Sequence, residues 1–200
     1  VLLLAAGLWL TEAIPAFAVG IMIIALQVLL LGRPASGDAA WEQHVLVLGH
    51  PLIWLFFGGL ALAAGMSRTG VDRWLAGHVL RRFADRPSRL ITAVAGITFV
   101  FSMIMSNTAT AAMMLALIAP IVNQRDQDDR FASTLLLAVP VGANLGGMAS
   151  LVGTPPNAIA AGMLSEQTGT AISFARWFTI GLPPALVAEG LLLGVLMLRL

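Results

Sequence analysis

Residues 90–122 carry no charge, a run of 33 positions. As a helix this run would be about 50 Å long at ~1.5 Å per residue. One membrane crossing takes ~20 residues, and two crossings with a turn take ~40. The run is therefore too long for one span and too short for two. At its midpoint stands the polar tripeptide Ser106-Asn107-Thr108. A re-entrant helical hairpin satisfies both facts, with two arms and a polar tip near mid-membrane. Irregular backbone at that depth survives only when buried in protein or lining a wet cavity, so the tip is expected to be a binding site.

The rest of the chain agrees with a membrane setting. Of 200 residues, 58% are hydrophobic and 10% charged, whereas soluble domains carry about 25% charged residues. The fold class read from this is an all-α integral membrane protein. There is no cysteine, which excludes disulfides and thiolate chemistry. The chain starts on Val1 already in apolar sequence, has no visible signal peptide, and reads as a piece of a longer protein.

In chain order, residues 1–10 read as the tail of a span. Thr11-Glu12-Ala13-Ile14-Pro15 marks a tight corner, with Thr11 as N-cap and Pro15 in the first turn of a second span over 14–31; one long helix kinked at Pro15 is the alternative. Residues 32–50 form a polar loop with Arg33, Pro34, Gly37, Asp38 and Glu42, and 51–67 are the next span. Residues 68–89 hold Arg68, Arg73, Arg81, Arg82, Arg86 and Arg89, with Val71, Trp74, Leu75, Val79 and Phe83 at helical spacing. This predicts an interfacial amphipathic helix. Beside membrane spans such a basic segment is a topology signal, not a nucleic-acid site, and it is expected in the cytoplasm. The hairpin 90–122 would then enter and leave on that side. Residues 123–130 are a loop whose Asp126, Asp128 and Asp129 lack the EF-hand glycine and terminal glutamate, so solvation is preferred to calcium.

A second uncharged run covers 131–164 and contains Gly153-Thr154-Pro155-Pro156-Asn157. Adjacent prolines do not both fit a regular helix interior, so this span is expected to be discontinuous. Residues 165–176 are placed outside and 177–198 form the last span. With this arrangement nine arginines lie inside, and Arg33 and Arg176 lie outside. That distribution obeys the positive-inside rule and favours the re-entrant reading over a single crossing by 90–122.

Paired broken helices are the architecture of secondary-transporter sites. A helix N-terminus offers unpaired N–H groups to an anion. Ser102 and Ser106 are four apart on one helix face and, with Asn107, supply oxygens for sodium, while Asn107 N–H groups and the Thr108 hydroxyl can face an anion. No carboxylate lies at the tip, which argues against a proton relay or a cationic substrate. The bland alternative is a helix cap and interhelical hydrogen bonding; for Thr154 and Asn157 it is capping around a proline kink. His44, His50 and His78 have no ligand-like neighbours and read as solvated. Met103, Met105, Met113 and Met114 read as packing. Glu12 and Glu189 lie near membrane level without an assigned role.

Ser106-Asn107-Thr108-Ala109-Thr110, Trp9-Leu10-Thr11-Glu12-Ala13-Ile14-Pro15, Gly58-Gly59 and Gly146-Gly147…Gly153-Thr154-Pro155-Pro156-Asn157 stand in one order along nearly the whole chain. Together they resemble the divalent anion/sodium symporter (DASS) family. The resemblance implies a homodimeric, elevator-type carrier of dicarboxylates, tricarboxylates or sulfate in a plasma or inner membrane, coupled to sodium and needing no other cofactor. It implies an inverted repeat with one hairpin and one broken helix in each half. By motif match, Ser102, Ser106, Asn107 and Gly153 would bind sodium, and Ser106, Asn107, Thr108 and Thr154 would touch substrate. Residues 1–67 would be scaffold, 68–89 a hinge arm and 90–200 part of the moving domain.

No second Ser-Asn-Thr follows. The chain thus resembles the N-terminal half, the second repeat is expected beyond Leu200, and this half alone is not expected to transport. A sodium-independent anion exchanger and a non-transporting membrane subunit are the competing readings. No histidine–carboxylate pair or metal-ligand spacing points to an enzyme.

Overall fold

Proline, glycine and short polar side chains decide where the helices of this chain stop. The computed structural model describes residues 1–11, 13–31, 40–125 and 129–200. Glu12, the loop residues Arg33, Pro34, Gly37 and Asp38, and Asp126 and Asp128 of the loop weighed for calcium lie outside them. All regular structure among the described residues is helical, and the chain divides into units of residues 1–54 and 55–200.

In the first unit α1 (Leu2–Thr11) packs on α2 (Ala16–Leu31), and α2 on α3 (Ala40–Leu46). A 3-10 turn (Val47–Gly49) precedes α4 (Pro51–Thr69). The corner near Pro15 separates two helices instead of kinking one. Thr11 does not cap α2, as the sequence suggested. It closes α1, donating its hydroxyl back to the Gly7 carbonyl (2.7 Å). Pro15 sits just before α2, its carbonyl accepting from Ala18 and Val19 N–H.

The second unit holds most of α4, then α5 (Val71–Arg82), α6 (Pro87–Ser102), α7 (Asn107–Val122), α8 (Arg130–Ala149), α9 (Pro155–Thr168) and α10 (Phe174–Arg199). Three of the described helices, α4, α8 and α10, are long and apolar enough to cross a membrane. Gly70, with φ 72°, turns the chain from α4 into α5 in a conformation that suits glycine. Ser67 donates to the Asp72 carboxylate across that turn (3.2 Å). The basic segment is not one helix: its first residues end α4, its middle forms α5 and its last residues begin α6. α5 is its amphipathic part. It packs inward through Asp72, Ala76 and Leu80, leaving Val71, Trp74 and Leu75 exposed beside Arg73, Arg81 and Arg82.

The core is built by α6, α7 and α8, which all pack on one another, with α10 lying on α8 and α6. Ile91, Val94, Met114, Ile118, Leu135 and Val139 are fully buried there, and Met105 and Met113 belong to the same cluster. Burying each such side chain contributes about 1.5–3 kcal/mol in water; in a bilayer the gain comes instead from close packing. Gly146 makes that packing possible. A Cβ on it would lie 2.8 Å from the Cα of Phe99, so only glycine lets α8 approach the backbone of α6.

Both expected interruptions are present, but each lies about three residues earlier than the sequence placed it, and Asn107, Thr108 and Pro155 to Asn157 are already helical. Residues 103–106 separate α6 from α7, and 150–154 separate α8 from α9. The adjacent prolines Pro155 and Pro156 occupy the first turn of α9, where a missing N–H costs nothing. α9 runs to Thr168 and ends at Gly169 in a left-handed conformation (φ 64°), so the expected outer loop shrinks to residues 169–173. Asp129 starts α8 by accepting from Phe131 N–H (2.8 Å), which takes Arg130 out of the preceding loop.

Candidate functional site

Each interruption has to satisfy the backbone groups its broken helices leave open. At the first, Ser106 is extended (φ −62°, ψ 145°) and caps α7, its hydroxyl accepting from Ala109 N–H (3.2 Å). At the second, Asn157 does most of the work. Its side-chain amide donates to the carbonyls of Gly147 (2.8 Å) and Ser150 (2.7 Å), closing the end of α8 from within α9. Trp177 of α10 donates to the Met148 carbonyl (3.3 Å). Ser150 accepts from Gly153 N–H (2.9 Å) and donates its hydroxyl to the Met103 carbonyl, tying the second break to the first.

The two breaks therefore meet. Ser102 Oγ donates to Asn107 Oδ1 at 2.7 Å, and Asn107 Nδ2 donates to Asn144 Oδ1 on α8 at 3.0 Å. Asn107 lies flat against α8 because residue 147 is glycine: a Cβ there would stand 2.9 Å from Asn107 Nδ2. Gly153 packs closely on Gly147, its own Cβ position being 2.9 Å from the Gly147 Cα. Asn107, Thr108, Ala111, Ala112, Leu115, Pro140, Ala143 and Asn144 line an open cavity of about 400 Å³.

Of the residues singled out in the sequence, Ser102 and Asn107 are bonded to each other, Ser106 caps the helix that Asn107 begins, Thr108 stands on the cavity wall, and Gly153 is reached through Gly147. Thr154 precedes α9 as its N-cap residue without a side-chain capping bond, and no hydrogen bond joins it to the tip among the described residues. Sequence reasoning did not single out Asn144 or Ser150. The only signal for Asn144 was an amide in an otherwise apolar stretch of α8.

The arrangement has two chemical faces. Ser102 Oγ and Asn107 Oδ1 converge as neutral oxygens without a carboxylate, a donor set that suits a hard monovalent cation. The start of α7 carries open N–H groups and the positive end of a helix dipole, which suits an anion. α9 contributes less here than expected, because Pro155 and Pro156 have no N–H to offer.

The citrate transporter family model matches residues 6–199 of the chain. An uncharacterized transporter of Haemophilus influenzae is 36% identical over 193 residues, covering 96% of this chain and 39% of that protein. The sodium-dependent dicarboxylate transporter SdcS of Staphylococcus aureus is 30% identical over 193 residues, covering 92% of this chain and 36% of that protein. The chain thus spans less than two fifths of the length of these curated relatives. The family and both relatives are transporters, not enzymes, and they agree with the resemblance to the divalent anion/sodium symporters.

Proposed function

Because the chain belongs to the citrate transporter family, we propose that it is the N-terminal half of a membrane carrier that moves di- or tricarboxylates together with sodium. One observation carries the reading: Ser102, Asn107 and the Gly147–Gly153 turn converge where two broken helices meet. Sodium binds oxygens of Ser102, Ser106, Asn107 and Gly153. The substrate carboxylate binds the N-terminus of α7 at Ser106, Asn107 and Thr108, with Thr154 completing the set once the carrier is assembled. Asn107 belongs to both groups, its Oδ1 to the cation and its backbone N–H to the anion. Each ligand then favours the other by ordering the same side chain and by charge, which is the basis of coupled transport.

The carrier is an inverted-repeat homodimer in the cell membrane, with α6 and α7 as a re-entrant hairpin. Residues 1–67 form the dimer scaffold, 68–89 a cytoplasmic hinge arm, and 90–200 part of a domain that carries the site across the membrane as an elevator. The second half supplies a matching hairpin and closes the substrate site. The name of SdcS as a sodium-dependent dicarboxylate transporter supports this choice of ion and substrate class.

Labelled succinate and citrate uptake into proteoliposomes tests it, using the full-length carrier with and without an inward sodium gradient. Sodium-driven uptake, abolished by Asn107→Ala, is expected. Equal uptake in the absence of sodium would replace symport by exchange, and no uptake of any di- or tricarboxylate would sink the carrier reading.

A further inference from the structure

Asn107 is asked to present an oxygen, not an N–H, to a cation beside Ser102. An amide is nearly symmetric in shape, so its own packing does not choose which end points where. Its hydrogen-bond neighbours have to choose. Ser102 does not, because a hydroxyl donates or accepts equally well. Asn144 is the remaining polar contact of that side chain. It accepts from Asn107 Nδ2 at 3.0 Å, and this turns Asn107 Oδ1 toward Ser102 at 2.7 Å. Asn144 is exposed on the wall of the 400 Å³ cavity with Asn107 and Thr108, and its own Nδ2 has no partner among the described residues.

We infer that Asn144 is a positioning residue for the sodium site, holding the Asn107 amide with Oδ1 toward Ser102 while its own free N–H group faces the anion cavity. This deepens the carrier reading and rests on it. The donated bond is made 37 positions away in sequence, between the hairpin tip and α8. The side chain thus links the two bound species: the acceptor end serves the cation through Asn107, and the donor end serves the carboxylate.

Two variants separate these ends. Asn144→Leu has a similar shape and neither an acceptor nor a donor. Asn144→Asp has the same shape, keeps the acceptor and replaces the donor by a negative charge. The full-length carrier is purified in detergent, and its melting temperature is followed as sodium chloride replaces choline chloride; succinate KM is measured in proteoliposomes. Losing a hydrogen bond that orients an ion ligand corresponds to about tenfold or more in affinity. Asn144→Leu is expected to raise the sodium midpoint by that factor. Asn144→Asp keeps the acceptor and brings a carboxylate near the cation, so it is expected to hold the sodium midpoint at or below the wild-type value and to raise succinate KM by about tenfold or more, since a donor to a charged group is lost.

An Asn144→Leu carrier with the wild-type sodium midpoint overturns the inference. If that variant is not recovered folded, Asn144→Asp decides alone: the split between sodium midpoint and KM supports the inference, and a lost sodium response overturns it. A wild-type protein whose melting temperature ignores sodium overturns the carrier reading, and this inference falls with it. A responsive wild type with an unaffected Asn144→Leu variant overturns the inference alone.

Discussion

Asn157 shows what a single polar side chain does in a broken membrane helix. Its amide satisfies two carbonyls, those of Gly147 and Ser150, that water would reach only if the break were wet. Removing a partner from a buried acceptor costs about 1–3 kcal/mol. Asn157→Ala is therefore expected to lower the melting temperature of the full-length carrier even without substrate or sodium. Gly147→Ala acts differently. Its methyl group would meet the Asn107 side chain and would push the amide away from α8. It is expected to abolish sodium-driven uptake while changing stability less than Asn157→Ala, and the two measurements together separate a site defect from a fold defect. Asn107 and Asn157 were legible in the sequence because polar tips and adjacent prolines interrupt apolar runs. Asn144 and Ser150 were not. Their partners lie 37 and 47 positions away, and only the packing of α6, α7 and α8 brings them together.

At the scale of elements, charge marked the segments well and their ends poorly. The first hairpin arm was expected to begin at residue 90, after the last arginine. It begins at Pro87, because a fixed φ and a dispensable N–H suit a first helical position better than the absence of charge does. α9 outlasts its apolar run because Ser165 and Glu166 are tolerated in a helix, and Gly169 ends it. α5 keeps the amphipathic pattern, but its packed face is Asp72, Ala76 and Leu80, while Val71, Trp74 and Leu75 face outward. An exposed stripe of Val71, Trp74 and Leu75 beside arginines suits the boundary between headgroups and acyl chains. Nitroxide labels at Val71 and Leu75 are expected to collide more with oxygen than with a water-soluble nickel chelate, and a label at Arg81 to show the reverse. Equal access of the chelate to all three would place α5 in water, away from the membrane surface.

At the scale of the whole molecule the decisive question is which side each loop faces, because the proposed hairpin changes the answer for everything after it. α6 and α7 have 16 residues each, about 24 Å of helix, against a hydrocarbon core of ~30 Å. Neither crosses alone. Either they enter and return, or they cross once in series with residues 103–106 in the middle. In the first case the loop after α7 lies on the side of the basic segment, and residues 169–173 lie opposite. In the second the two assignments exchange. These 200 residues contain no cysteine, so Arg81→Cys, Gln124→Cys and Thr170→Cys, made in a carrier cleared of any other cysteine, each give one labelling site, all at exposed positions. A membrane-impermeant maleimide applied to intact cells is expected to label Thr170→Cys and to spare Arg81→Cys and Gln124→Cys until the membrane is opened. Labelling of Gln124→Cys from outside, with Thr170→Cys protected, would mean a single crossing. It would also put Arg125 and Arg130 outside against the positive-inside rule, and the hairpin would have to be abandoned. The elevator reading would go with it, since a tip reached from one side only is what lets a moving domain present one site to each side in turn.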